Sequence, residues 1–204
     1  MKATSLCVLG ILLAAQAVAA EPKRHPPAKV SFTDFQSLVA EVEPHRRERL
    51  VDLDTFLAMS RRPDVVILDT RSVYRYDRIH VRGAKHLSFP DFTQENLRTV
   101  IPSEDTTVLI YCNNNFDGNE VDFASKVFLP APRKDASVPN ASRTSAATPK
   151  SQLASQEKPL MLALNIPTYV TLYGYGYRNV YELDELVKVS DPRISFEGTV
   201  VGTK

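Results

Sequence analysis

Thr107-Val108-Leu109-Ile110-Tyr111-Cys112-Asn113-Asn114-Asn115 is the stretch on which the reading of this chain turns. Its first five residues are mostly β-branched or aromatic, the composition of a strand covered on both faces. The run ends on a cysteine, and three asparagines follow. Asn tolerates left-handed backbone and Gly118 adopts it freely, so the strand is predicted to enter a curved loop. Val65-Val66-Ile67-Leu68 is a second such run. It follows Pro63-Asp64 and ends at Asp69. Asn179-Val180-Tyr181-Glu182-Leu183 is a third, and Leu50-Val51 a short fourth. Asp69 and Cys112 both stand at the carboxyl ends of predicted strands, where ligand sites of parallel sheets lie.

Helical patterns alternate with these runs. Phe32, Phe35, Leu38, Val39 and Val42 share one helical face, with Pro44 after the helix end. Asp52–Ser60 reads as a second helix that buries Phe56, Leu57 and Met59. Val73–Arg78 reads as a short third. Glu120–Phe128 is expected as a helix behind the cysteine loop, with Val121, Phe123, Ala124, Val127 and Phe128 apolar. Leu160–Tyr177 carries a further apolar pattern in which Pro167 starts or breaks a helix. Its tyrosines, at 169, 173, 175 and 177, read as packing. Strands alternating with helices predict one α/β domain over residues 31–190. Its sheet is expected to be mainly parallel, with helices on both faces.

The ends and one internal segment stand outside that pattern. Lys2, the apolar run Leu6–Val18 and the small residues Ala17-Val18-Ala19-Ala20 have the form of a secretory signal peptide over residues 1–20. The run is shorter than the ~20 apolar residues a spanning helix needs. An exported protein, periplasmic or secreted, is therefore expected, with no membrane attachment after cleavage. Residues 21–30 read as a flexible leader and 191–204 as a C-terminal tail. Residues 130–158, rich in Ala, Ser, Pro, Lys and Thr, read as a disordered insertion. Its Asn140-Ala141-Ser142 is formally a glycosylation sequon. The chain has two cysteines, and Cys7 lies in the leader peptide, so Cys112 is the sole thiol of the mature chain. Exported proteins usually use cysteines in pairs, so an unpaired one is an inert core residue, an intermolecular link or a reactive group. The 25 Lys+Arg against 24 Asp+Glu give a net charge of +1, which argues against a nucleic-acid partner. The four histidines lack ligand spacing, and neither a metal nor a cofactor is expected.

Residues 50–187 resemble a rhodanese-like domain. The resemblance lies in Val65-Val66-Ile67-Leu68-Asp69-Thr70-Arg71, in Tyr76 with His80-Val81-Arg82-Gly83-Ala84, in Val108–Cys112, and in Gly176 with Asn179-Val180-Tyr181. It implies a twisted, parallel sheet of about five strands. It also implies that Cys112 opens a short loop cradling the reacting atom. Active members of the family carry a persulfide on this cysteine, moving sulfur from a donor such as thiosulfate to a thiol or cyanide.

The resemblance implies Cys112 as the catalytic residue and Asn113, Asn114, Asn115, Phe116, Asp117 and Gly118 as the substrate-binding loop. Sulfur transfer needs a thiolate, which inward-pointing N–H groups and a helix N-terminus favour. Asp69 and Arg71 are expected to support the loop as a buried pair. His80 is a proton shuttle by type, with an ordering role in the turn preferred. Two features depart from active relatives. The loop holds no cation, and Asp117 and Glu120 would repel an anion if they faced the pocket. A phosphatase is disfavoured because the closing Arg is missing and Tyr111 precedes the cysteine. Phe116 has two readings, as a pocket mouth or as a core anchor. The expected function is sulfur transfer or persulfide carriage, with a small sulfur donor and a thiol acceptor. The alternatives are an inactive module that binds a small molecule or protein partner, and a redox role for Cys112.

Overall fold

The computed structural model describes residues 25–129 and 159–202. The expected signal peptide, part of the expected leader and the expected insertion at 130–158 lie outside them. The chain divides into two units, residues 1–32 and 33–204. Of the first, residues 25–31 carry no regular element.

The second unit is an α/β domain. In chain order its elements begin with α1 (Phe32–Arg47), β1 (Leu50–Val51), α2 (Leu53–Ser60), β2 (Val65–Asp69) and α3 (Val73–Arg78). They continue with β3 (His80–Val81), β4 (Lys85–His86), α4 (Gln94–Val100), β5 (Thr107–Tyr111), β6 (Phe116–Asp117) and β7 (Val127–Phe128). After residue 158 come β8 (Leu160–Met161), α5 (Asn165–Gly174), β9 (Val180–Leu183), β10 (Val187–Lys188) and β11 (Phe196–Glu197).

The main sheet has five strands in the order β1-β9-β5-β2-β4, and every pair is parallel. Alternation along the strands divides the core. Ile67, Leu109, Tyr111 and Leu183 pack with Leu53 and Phe56 of α2 on one face. Leu68, Val108, Ile110 and Val180 pack on the other with Val42 of α1, Leu97 of α4, and Tyr169 and Leu172 of α5. Both faces are covered, which explains why the central runs are apolar throughout.

Asp52 caps α2 by accepting the Thr55 N–H at 2.8 Å. The first helix runs through Pro44 to Arg47 instead of ending before it. Tertiary contacts hold that last turn. His45 Nδ1 meets Tyr169 Oη at 3.0 Å, and Arg46 makes a two-pronged ion pair with Glu182. Residues 120–128 are not a helix. Val121 is 69% exposed, Asp122 is drawn to Arg78 at 2.5 Å, and Val127–Phe128 pairs antiparallel with Leu160–Met161.

Residues 191–202, expected as a tail, pack onto the domain. Phe196–Glu197 pairs antiparallel with His80–Val81, and Ile194 and Phe196 are buried. None of the described helices is long and apolar enough to cross a membrane.

Candidate functional site around Cys112

Cys112 follows β5 directly. Its backbone stays extended, and a single turn of 3-10 helix over Asn113–Asn115 begins after it. The Cys112 Sγ accepts the Asn114 N–H at 3.3 Å. Asn115 closes the turn from the other side, accepting the Cys112 N–H at 2.9 Å and donating to Leu183 O at 2.7 Å. The three asparagines therefore do different work. Asn113 lines the cavity over the sulfur, Asn114 gives its N–H to the sulfur, and Asn115 ties the loop to β9.

The helix behind the sulfur is α5, not the expected helix at 120–128. No side chain caps α5, although its first N–H groups lack helical partners. The backbone N–H groups of Leu164 and Asn165, at its start, act on the Cys112 sulfur. Thr70, at the end of β2, bonds Thr168 in the first turn of α5 at 2.9 Å between hydroxyls, which fixes the helix to the sheet end. Residues 113–164 thus separate the cysteine from the helix that serves it, where the resemblance implied a short loop.

Burial opposes these donors. Cys112 is 1% exposed. Desolvation is the largest influence and pushes the thiol above the ordinary cysteine value. The N–H groups of Asn114, Asn165 and Leu164 pull it down, and the Glu182 carboxylate adds a smaller upward push. Burial therefore favours the thiol over the thiolate.

A cavity of 310 Å³ opens above the sulfur. Arg71, Arg75 and Lys126 bring positive charge to its wall, Ser72 and Asn113 are polar, and Leu162 and Leu164 form the apolar side. The loop itself carries no cation; the cations arrive from the end of β2, from α3 and from the root of β7. The sequence signal for them was weak, because nothing in the chain marks residues 71, 75 and 126 as neighbours. Asp117 and Glu120 are exposed and neither lines this cavity, so the feared repulsion does not arise. Asp117 is paired in β6 with Lys188 of β10. Phe116 is 4% exposed and packs against Tyr111, Phe123 and Phe196, which makes it a core anchor. The cavity wall includes none of Phe116, Asp117 and Gly118, and of the three asparagines only Asn113 lies in it.

Asp69 and Arg71 form a buried pair, 0% and 3% exposed. Arg71 Nη2 meets Asp69 Oδ2 at 2.6 Å and also donates to Ile79 O at 2.6 Å. Tyr111 Oη donates to Asp69 Oδ2 at 2.6 Å and accepts the Val81 N–H at 3.0 Å. The guanidinium lies 4.7 Å from the Phe123 ring centroid. This network fixes the ends of β2 and β5 beside the sulfur. His80 stands apart from the cavity. It stacks on Tyr76 with ring centroids 3.8 Å apart, and its Nδ1 meets Tyr76 O at 2.7 Å. Its Nε2 faces Glu197 at 3.3 Å. It orders the turn and the returning C-terminal segment.

A parallel sheet that delivers a cysteine from its central strand into a polar turn, beside a cation-lined cavity, defines an α/β domain with a thiol site. The family model for the rhodanese-like domain matches residues 52–185, and the chain belongs to that family. No curated protein matches the chain.

Proposed function

We propose that the domain is a single-cysteine sulfurtransferase or persulfide carrier. The observation that carries this reading is the placement of Cys112 Sγ. Cys112 lines a cavity together with Arg71, Arg75 and Lys126, and the first N–H groups of α5 draw its thiol downward. An anionic sulfur donor is attracted to that wall. The Cys112 thiol loses its proton to solvent, and the thiolate attacks the outer sulfur of thiosulfate. The Sγ–S bond forms, the donor S–S bond breaks, and sulfite leaves with the electron pair. The persulfide is then attacked at its terminal sulfur by an acceptor thiolate, which returns Cys112 as thiolate. The N–H groups of Asn114, Leu164 and Asn165 stabilise the anion at each stage.

Mass spectrometry after thiosulfate treatment tests this reading. A gain of one sulfur on Cys112, removed by a thiol, is expected. No gain with thiosulfate or with a low-molecular-weight persulfide counts against it.

One observation favours a second reading, an inactive binding module for a small molecule or partner protein. Cys112 is almost wholly buried, and burial holds it as the thiol. In that case Cys112→Ser keeps the function of the protein in the cell; in the first case it abolishes it. Export is part of the same proposal. It is supported by the signal-peptide pattern of residues 1–20, and sequencing of the mature N-terminus checks it.

A further inference from the structure

Glu182 is a buried carboxylate of the central sheet to which the sulfur chemistry above gives no role. It lies on β9, 3% exposed, beside the end of β5. Burial of a charge is costly unless it is paired and hydrogen-bonded. Glu182 has both kinds of partner. Arg46, from the last turn of α1, grips it with Nε at 2.5 Å from Oε2 and Nη2 at 2.6 Å from Oε1. Asn165 Nδ2 donates to the same Oε1 at 3.0 Å.

Asn165 connects this pair to the cysteine. Its Nδ2 also donates to Asn115 Oδ1 at 3.1 Å, the oxygen that accepts the Cys112 N–H. Its backbone N–H acts on the sulfur. The Asn165 side chain therefore spans from Glu182 to the Cys112 turn, and its backbone N–H draws the thiol downward.

We propose that the Arg46–Glu182 pair is a positioning and charge-balancing device for Cys112. Glu182 holds Asn165, and with it the first turn of α5, against the Cys112 loop. Arg46 neutralises the carboxylate so that it does not oppose the thiolate. The charged groups that share the cavity wall with Cys112 are Arg71, itself paired with Asp69, Arg75 and Lys126, and neither variant below alters them. The proposal rests on Cys112 being the reacting group. Its test reads the thiol itself, so a failure to find sulfur transfer leaves the result standing.

The test is the pH profile of Cys112 alkylation by iodoacetamide in the full mature chain. Glu182→Gln keeps an acceptor for Asn165 and removes the negative charge. Its alkylation midpoint should move down by about half a pH unit or more, roughly a threefold gain in thiolate at a fixed pH. Arg46→Gln exposes the carboxylate and should move the midpoint up. Arg46→Lys keeps the charge and should leave the midpoint closer to the native one than Arg46→Gln does. The double variant Arg46→Gln with Glu182→Gln should return toward the native midpoint. A purely structural pair predicts instead that both single variants shift in the same direction, or not at all, and that the double variant is no better. Either result overturns the proposal. If Arg46→Gln does not fold, Glu182→Gln decides alone: an unchanged or higher midpoint overturns it.

Discussion

Asn114 and Lys126 exchange two hydrogen bonds: the Lys126 N–H donates to Asn114 Oδ1 at 2.8 Å, and Asn114 Nδ2 donates back to Lys126 O at 3.3 Å. This clasp joins the turn after Cys112 to the root of β7 and places Lys126 at the cavity wall. Asn114→Ala removes both bonds. A loss of about 1 kcal/mol is expected, given the partial exposure of the pair. Its KM for an anionic donor should rise more than its kcat falls. Urea unfolding and steady-state kinetics check the two effects.

The cations of the cavity give a second expectation. Arg75→Ala and Lys126→Ala should each raise KM for thiosulfate by about three- to tenfold with kcat nearly unchanged, the sign of lost substrate binding. Added salt should weaken donor binding in the native protein and have less effect in the double variant. A fall in kcat alone would place both side chains in the chemical step instead.

The network at the strand ends is expected to matter for stability first. Asp69→Asn leaves the buried Arg71 charge without its partner, at a cost of about 3–5 kcal/mol. Tyr111→Phe removes the acceptor of the buried Val81 N–H and one donor to Asp69, at about 1–3 kcal/mol. Denaturant midpoints of the two variants should fall in that order.

Alkaline pH should unfold the domain through groups that folding keeps neutral. Burial pushes Cys112 and Tyr111 above their ordinary values, with the Asp69 charge adding to the push on Tyr111. A raised value means that the stabilisation is complete below the unfolded-state value. It is lost as pH rises toward the folded one. The unfolded values are about 8.5 for Cys and about 10 for Tyr, so stability should decline above pH ~8.5. Cys112→Ser should flatten the first part of that decline in unfolding measured from pH ~7 to ~11.

Much of the sheet was legible because covering a strand on both faces forces a continuous apolar run. Val65–Asp69 and Thr107–Tyr111 announce themselves in this way, and the residues at their ends, Asp69 and Cys112, follow directly. The pairing of Asp69 with Arg71 could be anticipated from the cost of burying charge; for His80 the expectation came only from the family resemblance. The helix serving the cysteine could not. Leu164 and Asn165 meet Cys112 only because the chain returns after residues 130–158, and no local period reports that meeting. The expected helix at Glu120–Phe128 had correctly spaced apolar residues. Tertiary forces set its backbone: Asp122 is held by Arg78 and by Asn119, whose Nδ2 lies 3.1 Å from Asp122 Oδ2. The two-residue ladders, including the one that buries Phe196, are too short for any periodicity to reveal.

The ladder of β7 and β8 has a further bearing on how this domain tolerates change. Val127 lies opposite Met161 and Phe128 opposite Leu160. Paired residues of an antiparallel ladder sit about 5 Å apart. The ladder therefore forms a narrow gate between residues 128 and 160 whose width is set by the pairing alone. The free energy of closing such a gate grows only logarithmically with the length beyond it, about 0.6 kcal/mol per doubling. A flexible peptide added between the two strands is therefore expected to cost little stability, while Lys126 and Leu162 at the base of the gate stay in the cavity wall with Cys112. This makes the junction the natural point for grafting a reporter or an affinity handle next to the thiol without rebuilding the fold.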